Sequence, residues 1–417
     1  MMKLSMRLTV LFLVFMLLAG TAQAADFAAT KKAAMKGDAA AMNELGKMYI
    51  SGKGVAQDNG EAAEWFRKAA DKGSAAAMCN LAMMYYHGNG VLKDRAQAVE
   101  WYRKSANKGN PLALHSLGLI YVRGDGVAKD VEKAVYCFEK AATQGDPRGL
   151  NAMGIVYESG LGSIRQNYKE AAAFYQKAVN KGYLSAKVNL GRMYRGGLGV
   201  EQDKSMALKL FESAANSGHA GGQILAARLY FNGEGAAMNK SKAIELYEKA
   251  AAQHNSLAQF ALGEIYMNGE GVPQNLDVAA KWMAKAAGSG HPQAQQILAN
   301  AKAYAASPQA SSGGQTYAAS PASYGAGSYT NNNEEADLTE TIKRYAGAAI
   351  LTGAGQRISS QMAELGFGGG GAVQGVFGLA ASKILSGGEN EFKPGEVFEA
   401  AVGGLGGIEG LASLFGF

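Results

Sequence analysis

Only two cysteines and seven prolines occur in 417 residues. A disulfide framework of the kind that holds small secreted folds is therefore excluded, and so is a proline-rich extended architecture. Reaction chemistry is almost as scarce. There is no G-x-x-x-x-G-K-[ST] phosphate loop and no G-x-S-x-G nucleophile turn, which removes common nucleotide and acyl-transfer sites. His87, His115, His219, His254 and His291 stand singly, without a second ligand at metal-binding spacing, and read as turn or surface residues. Residues 366–371 satisfy G-x-G-x-x-G only because they are nearly all glycine and follow no strand-like run. No catalytic residue, cofactor or metal is expected.

What the chain has instead is a period. Tyr49, Tyr85, Tyr121, Tyr157, Tyr194, Tyr230 and Tyr266 recur at intervals of 36, 36, 36, 37, 36 and 36 residues, the signature of a tandem array. An apolar residue four before each Tyr in most copies, such as Leu45, Leu81 and Leu117, gives the spacing of one helical face. This first helix of each unit is helix A. Glycines three and five residues after the Tyr, such as Gly88 and Gly90, suit a helix end that turns through the left-handed region. Asp58, Asp94, Asp130, Asp203, Asn239 and Asn275 then suit the N-cap of a second helix, helix B, whose Ala, aromatic pair and Lys-Ala-Ala run lead to another glycine in all but one copy. Small residues one turn before the Tyr, such as Gly46 and Gly118, allow close backbone approach, while Trp65, Trp101, Phe174 and Trp282 are expected to fill the space between layers.

The repeated pattern A-x-x-x-L-G-x-x-Y-x-x-G-x-G-V-x-x-D, followed by A-x-x-W-Y-x-K-A-A-x-x-G, closely resembles the Sel-one-like repeat, a relative of the tetratricopeptide repeat. Seven copies cover roughly residues 38 to 290. Local departures are Ala226 in place of Leu, one extra loop residue in the fourth copy, and His254 where glycine is expected. The resemblance implies an all-α, right-handed α-solenoid of seven 36-residue helix-turn-helix repeats, with helices A lining the concave side and a role as an adaptor or scaffold for proteins. Half units at residues 26–36 and 291–304 read as caps on the open ends. Relatives that pair cysteines within each repeat carry a pattern this chain lacks; a bridge between Cys79 and Cys137 stays open at this stage.

Positions six and two before each Tyr escape the consensus and lie one helical turn apart, so they are expected to face the groove. The pairs are Asn43/Lys47, Cys79/Met83, His115/Leu119, Asn151/Ile155, Val188/Arg192, Ile224/Arg228 and Phe260/Glu264. An apolar strip of Met83, Leu119 and Ile155, with Arg192 and Arg228 further along, suits a protein or peptide segment bearing hydrophobic anchors and a carboxylate. The alternative is that these side chains complete the core against the neighbouring helix A. Both arginines are expected on the surface with little pairing inside the chain.

Outside the array, residues 1–24 read as a signal peptide: Lys3 and Arg7, an apolar run, then Ala22-Gln23-Ala24, with cleavage before Ala25. A periplasmic or secreted destination follows, with no role for nucleic acid despite a formal charge of +6. The solenoid is expected over residues 25–304, an uncharged linker over 305–333 and a glycine-rich amphipathic helical region over 334–417. One helical stripe of that last region comprises Leu338, Ile342, Tyr345, Ala349 and Ile350. Two functions compete: an exported adaptor that binds proteins along the groove, and a cell-envelope structural component whose glycine-rich region self-associates or contacts a membrane. The sequence does not define the oligomeric state.

Overall fold

The computed structural model describes residues 25–305. The expected signal segment, the region 334–417 and all but the first residue of the linker lie outside the described residues. Among those described, every regular element is helical and none is a strand. They form two compact units, one ending at Lys181 and the other beginning at Gly182.

The first unit opens with α1 (25–35) and continues as four antiparallel hairpins: α2 (Ala39–Ser51) with α3 (Asn59–Asp71), α4 (Ala75–His87) with α5 (Arg95–Asn107), α6 (Pro111–Arg123) with α7 (Val131–Thr143), and α8 (Pro147–Ser159) with α9 (Tyr168–Asn180). The second unit holds three hairpins, α10 (Leu184–Gly196) with α11 (Lys204–Asn216), α12 (Ala220–Asn232) with α13 (Lys240–Ala252), and α14 (Ser256–Asn268) with α15 (Leu276–Gly288), and then α16 (Pro292–Ala305).

Each hairpin is closed by the same local chemistry. Helix A ends on a glycine in the left-handed region, Gly88 at φ 80° for example, whose N–H donates back to the carbonyl four residues earlier. The chain then turns, and the N-cap residue of helix B donates its N–H to the carbonyl of the marker tyrosine. Asp58 to Tyr49 and Asn275 to Tyr266 are the first and last of seven such bonds, all 2.8–3.0 Å. Each cap's carboxylate or amide oxygen in turn accepts from the first turn of helix B, as Asp94 does from Gln97 at 2.9 Å. The fourth copy keeps this closure despite its extra residue, with Asn167 as the cap and a 2.8 Å bond to Tyr157. The second loop glycine answers a different demand. A Cβ on Gly90 would sit 2.1 Å from the Asn59 carbonyl of the preceding hairpin, so only a bare backbone fits between repeats.

The core forms where a large side chain of helix B presses on the small residue of helix A. A Cβ on Gly118 would lie 2.3 Å from the Phe138 ring, and Gly46 meets Phe66, Gly154 Tyr175 and Gly191 Phe211 in the same way. The expected wedges were the residues one earlier. Trp65 is nearly closed off at 9% exposure, but Trp101, Phe174 and Trp282 are only half-buried. Their outer ring faces carry the lysine three residues on, Lys104 Nζ standing 4.1 Å from the Trp101 centroid. The residue after each tryptophan points directly at helix A and takes the core position.

His254 adopts φ 60° at the turn where the other helices B place glycine. A side chain in the left-handed region is disfavoured by about 1–2 kcal/mol, of which His254→Gly recovers only part because glycine is freer in the unfolded chain. The expected gain is about 0.5–1 kcal/mol in a denaturant melt; no gain, or a loss, would mean that the imidazole supplies a compensating contact.

Candidate protein-binding surface

The side chains of helix A divide into structural and variable sets. Of those at the position six before the tyrosine, all but the half-buried Ile224 belong to the structure, contrary to expectation: Cys79, His115, Asn151 and Phe260 are each 1% exposed, Asn43 8% and Val188 9%. For the first and the last of them in the chain the following element supplies the cover. Asn80 Nδ2 donates to Asn43 Oδ1 at 2.9 Å from the neighbouring helix A, and the His291 ring, which caps α16, stacks on Phe260 at 4.1 Å. His115 and His291 are thus buried residues and not surface ones. Cys79 and Cys137 are both free and buried, and burial pushes their thiols up to about 12 and about 11, which leaves them unreactive.

A second structural set joins successive repeats through the loop acid between the two glycines. Asp125 accepts from Arg95 at 2.7 Å and from the Tyr86 hydroxyl at 2.6 Å, both in the preceding hairpin. In the second unit Glu234 takes a forked pair of bonds from Arg195, at 3.0 and 3.3 Å, and an ion pair from Lys204 at 3.3 Å. Glu270 pairs with Lys240 at 3.2 Å. Burial pushes the Glu234 carboxyl up, yet the hydrogen bonds from Arg195 and its charge more than offset this and hold it low. The signal for this clasp in the sequence is a G-[DE]-G loop with Arg or Lys opening the previous helix B, a pattern separate from the repeat consensus.

That leaves the position two before each tyrosine. Lys47 is exposed, and Met83, Ile155, Arg192, Arg228 and Glu264 are half-buried. Leu119 is not available: it is 4% exposed in α6, which is buried continuously from Ala113 to Val122. The apolar strip is therefore broken at its middle. Nor are Arg192 and Arg228 bare guanidinium groups as expected: both are half-buried and both are engaged in interactions of their own. Burial lowers the pKa of Arg228, with the Arg195 charge adding to the effect and Tyr247 and Glu234 opposing it.

Glu264 is the most strained charge of this set. Burial, with the Glu270 carboxylate adding to it, pushes its carboxyl up to about 7, and among the described residues no hydrogen bond or ion pair holds it. Tyr247, a buried side chain of α13, feels both Arg228 and Glu264; burial takes its hydroxyl up to about 12. Tyr247 is thus a side chain of the second unit that senses charges from both neighbouring helices A. Among the described residues no His, Cys, Asp and Glu cluster could hold a metal ion, and no helix is long and apolar enough to cross a membrane.

Repeated helical hairpins with a shared frame of glycine turns, caps and core side chains define a helical-repeat scaffold. Seven consecutive segments, 39–74, 75–110, 111–146, 147–183, 184–219, 220–255 and 256–291, match the Sel1 repeat, and the chain belongs to the Sel1 repeat family. Among solved structures it is similar to c5321, described as a protective antigen present in uropathogenic Escherichia coli strains displaying an SLR fold. That likeness is 30% identity and a TM-score of 0.53, over 93% of this chain and 71% of that one. It is also similar to a Sel1 repeat protein from Oxalobacter formigenes, with 32% identity and a TM-score of 0.51, over 67% of this chain and 81% of that one. No curated protein matches the sequence.

Proposed function

We propose that this chain is an exported adaptor whose helices A hold a segment of another protein along the concave side. Met83 and Ile155 offer apolar contacts on the first unit, and Arg192, Arg228 and Glu264 offer ionic ones on the second. One observation carries the reading: while the frame positions keep their residue types, the position two before the tyrosine runs Lys47, Met83, Leu119, Ile155, Arg192, Arg228, Glu264 and stays partly open in six of seven copies. Packing alone has no use for a half-buried carboxylate beside a second one, whereas a cation brought by a partner would relieve it. Export rests on the N-terminal segment and predicts mature protein beginning at Ala25.

A photo-crosslinking residue at position 83, 155 or 264 is expected to capture one and the same partner in the intact cell. The same residue at Leu92 or Tyr136, exposed loop and helix B positions, is expected to capture none. Capture from the outer positions only, or from neither set, would overturn the binding face. Met1 retained in the extracted protein would overturn export. Recovery only with membranes, with no inner-face crosslink, would favour the cell-envelope structural role.

A further inference from the structure

Two helices of the second unit begin on an imidazole. Elsewhere the cap at the same place is Asp38, Ser74, Asn110, Asp146 or Asn255, whose side-chain oxygen accepts from the first turn. Tyr183 gives α10 no such bond. α12 is capped by His219, whose Nδ1 accepts from the Gly222 N–H at 3.2 Å, and α16 by His291, whose Nδ1 accepts from the Ala294 N–H at 3.4 Å. A nitrogen that accepts a backbone N–H carries no proton, so both rings are held as the neutral tautomer with hydrogen on Nε2. Nε2 of His219 lies 3.4 Å from the Ser185 hydroxyl of α10.

We propose that His219 and His291 are acid-sensitive joints: a proton on Nδ1 turns the acceptor into a donor aimed at a backbone N–H, and the first turns of α12 and α16 open while the rest of the second unit stays folded. The added charge also falls on the positive end of a helix dipole, where a cation is unfavourable. Each ring stands where one hairpin hands over to the next element. The His219 N–H donates to the Ala214 carbonyl of α11 at 3.1 Å, and the His291 N–H to the Ala286 carbonyl of α15 at 2.9 Å. Losing the cap therefore loosens the link between neighbours in the stack.

Burial lowers the pKa of both imidazoles, opposed at His219 by a backbone hydrogen bond, and no charged side chain enters either shift. From α10 the group facing His219 is the Ser185 hydroxyl, and from α14 the group facing His291 is the Phe260 ring, both neutral. With folded values below the ordinary 6.5, the two caps contribute fully above about pH 6.5 and are lost as pH falls through the lowered values. Glu264 takes up its proton as pH falls through about 7, which steadies the fold, so it opposes this loss and cannot cause it. In the first unit burial lowers His115 to about 4, with the Arg148 and Arg123 charges adding and Asp146 opposing, but that ring lies within α6 and not at its start. This inference does not depend on the partner-binding reading.

Hydrogen exchange by mass spectrometry on the full chain, with rates corrected for the intrinsic effect of pH, tests it. Segments 220–226 and 292–298 are expected to lose protection by about threefold to tenfold between about pH 7.5 and about pH 5, whereas the starts of α10 and α14 keep theirs. Asparagine at a cap supplies the acceptor without the titration, as Asn255 does for Leu257 and Ala258 at 3.1 and 3.2 Å. His219→Asn is therefore expected to abolish the pH dependence at α12 and leave it at α16, and His291→Asn to do the reverse. Because His291→Asn also removes the ring from Phe260, its readout is the pH dependence at α16 and not the absolute protection. Equal protection at both pH values in the unaltered protein would overturn the proposal. So would a pH-dependent loss that survives at α12 in His219→Asn, or one that spreads through α10 and α14, which would mean a general weakening of the unit by acid.

Discussion

Phe138→Ala is expected to destabilise the first unit by about 3–5 kcal/mol, the range for emptying a fully buried aromatic position. The ring is 0% exposed and lies so close to α6 that no side chain fits on Gly118 beneath it. Neither helix can collapse into the space, since α6 is itself buried on every face and held between neighbouring hairpins. Trp101→Ala should cost clearly less, because that ring is half-buried and its removal opens toward solvent. Urea melts of the two variants decide the matter: an equal loss would show that the tryptophan place, and not the residue after it, is the true wedge, and a loss below about 1 kcal/mol for Phe138→Ala would remove the wedge altogether.

The second large effect is one of pH. The Glu264 carboxyl is pushed up to about 7 in the fold, from an ordinary value of 4.5. Between those values the folded state holds a proton that the unfolded chain has released. Stability from this group is therefore complete below about pH 4.5, falls as pH rises, and is lost above about pH 7; the full difference is about 3 kcal/mol at most. Glu264→Gln keeps the shape and removes the titration, so the variant should exceed the unaltered protein in stability at pH 8 and match it near pH 5. The groups that face Glu264 are Glu270, which adds to the shift, and Tyr247, which stays neutral throughout this range. Identical pH profiles for the two proteins in denaturant melts would show that the carboxylate is solvated in the fold.

The hairpins were legible because their determinants are local. A tyrosine, two glycines and an Asp or Asn within about ten residues specify a helix end, a turn and a helix start, and even the extra residue of the fourth copy moved the cap to Asn167 without opening the turn. The binding strip was less legible, because burial on helix A depends on how the next helix A is laid across it. Asn43 and Lys47 lie one turn apart on one helix, yet Asn80 covers the first and leaves the second exposed. Leu119 was lost to the strip for the same reason. A helical period reports the side of a helix, not the height at which a neighbour crosses it.

The bond from each helix B cap to the tyrosine carbonyl, together with the clasps that reach only into the adjacent hairpin, confines the described order to near neighbours in the chain. Asp125 finds Arg95 across 30 residues and Tyr86 across 39, and the array repeats such steps in place of any strand pairing between distant segments. A fold of low contact order results, in which ordering can begin in whichever hairpin closes first and spread outward by one interface at a time. During synthesis from the N-terminus such a chain gains structure hairpin by hairpin, since no early hairpin has to wait for the far end to arrive.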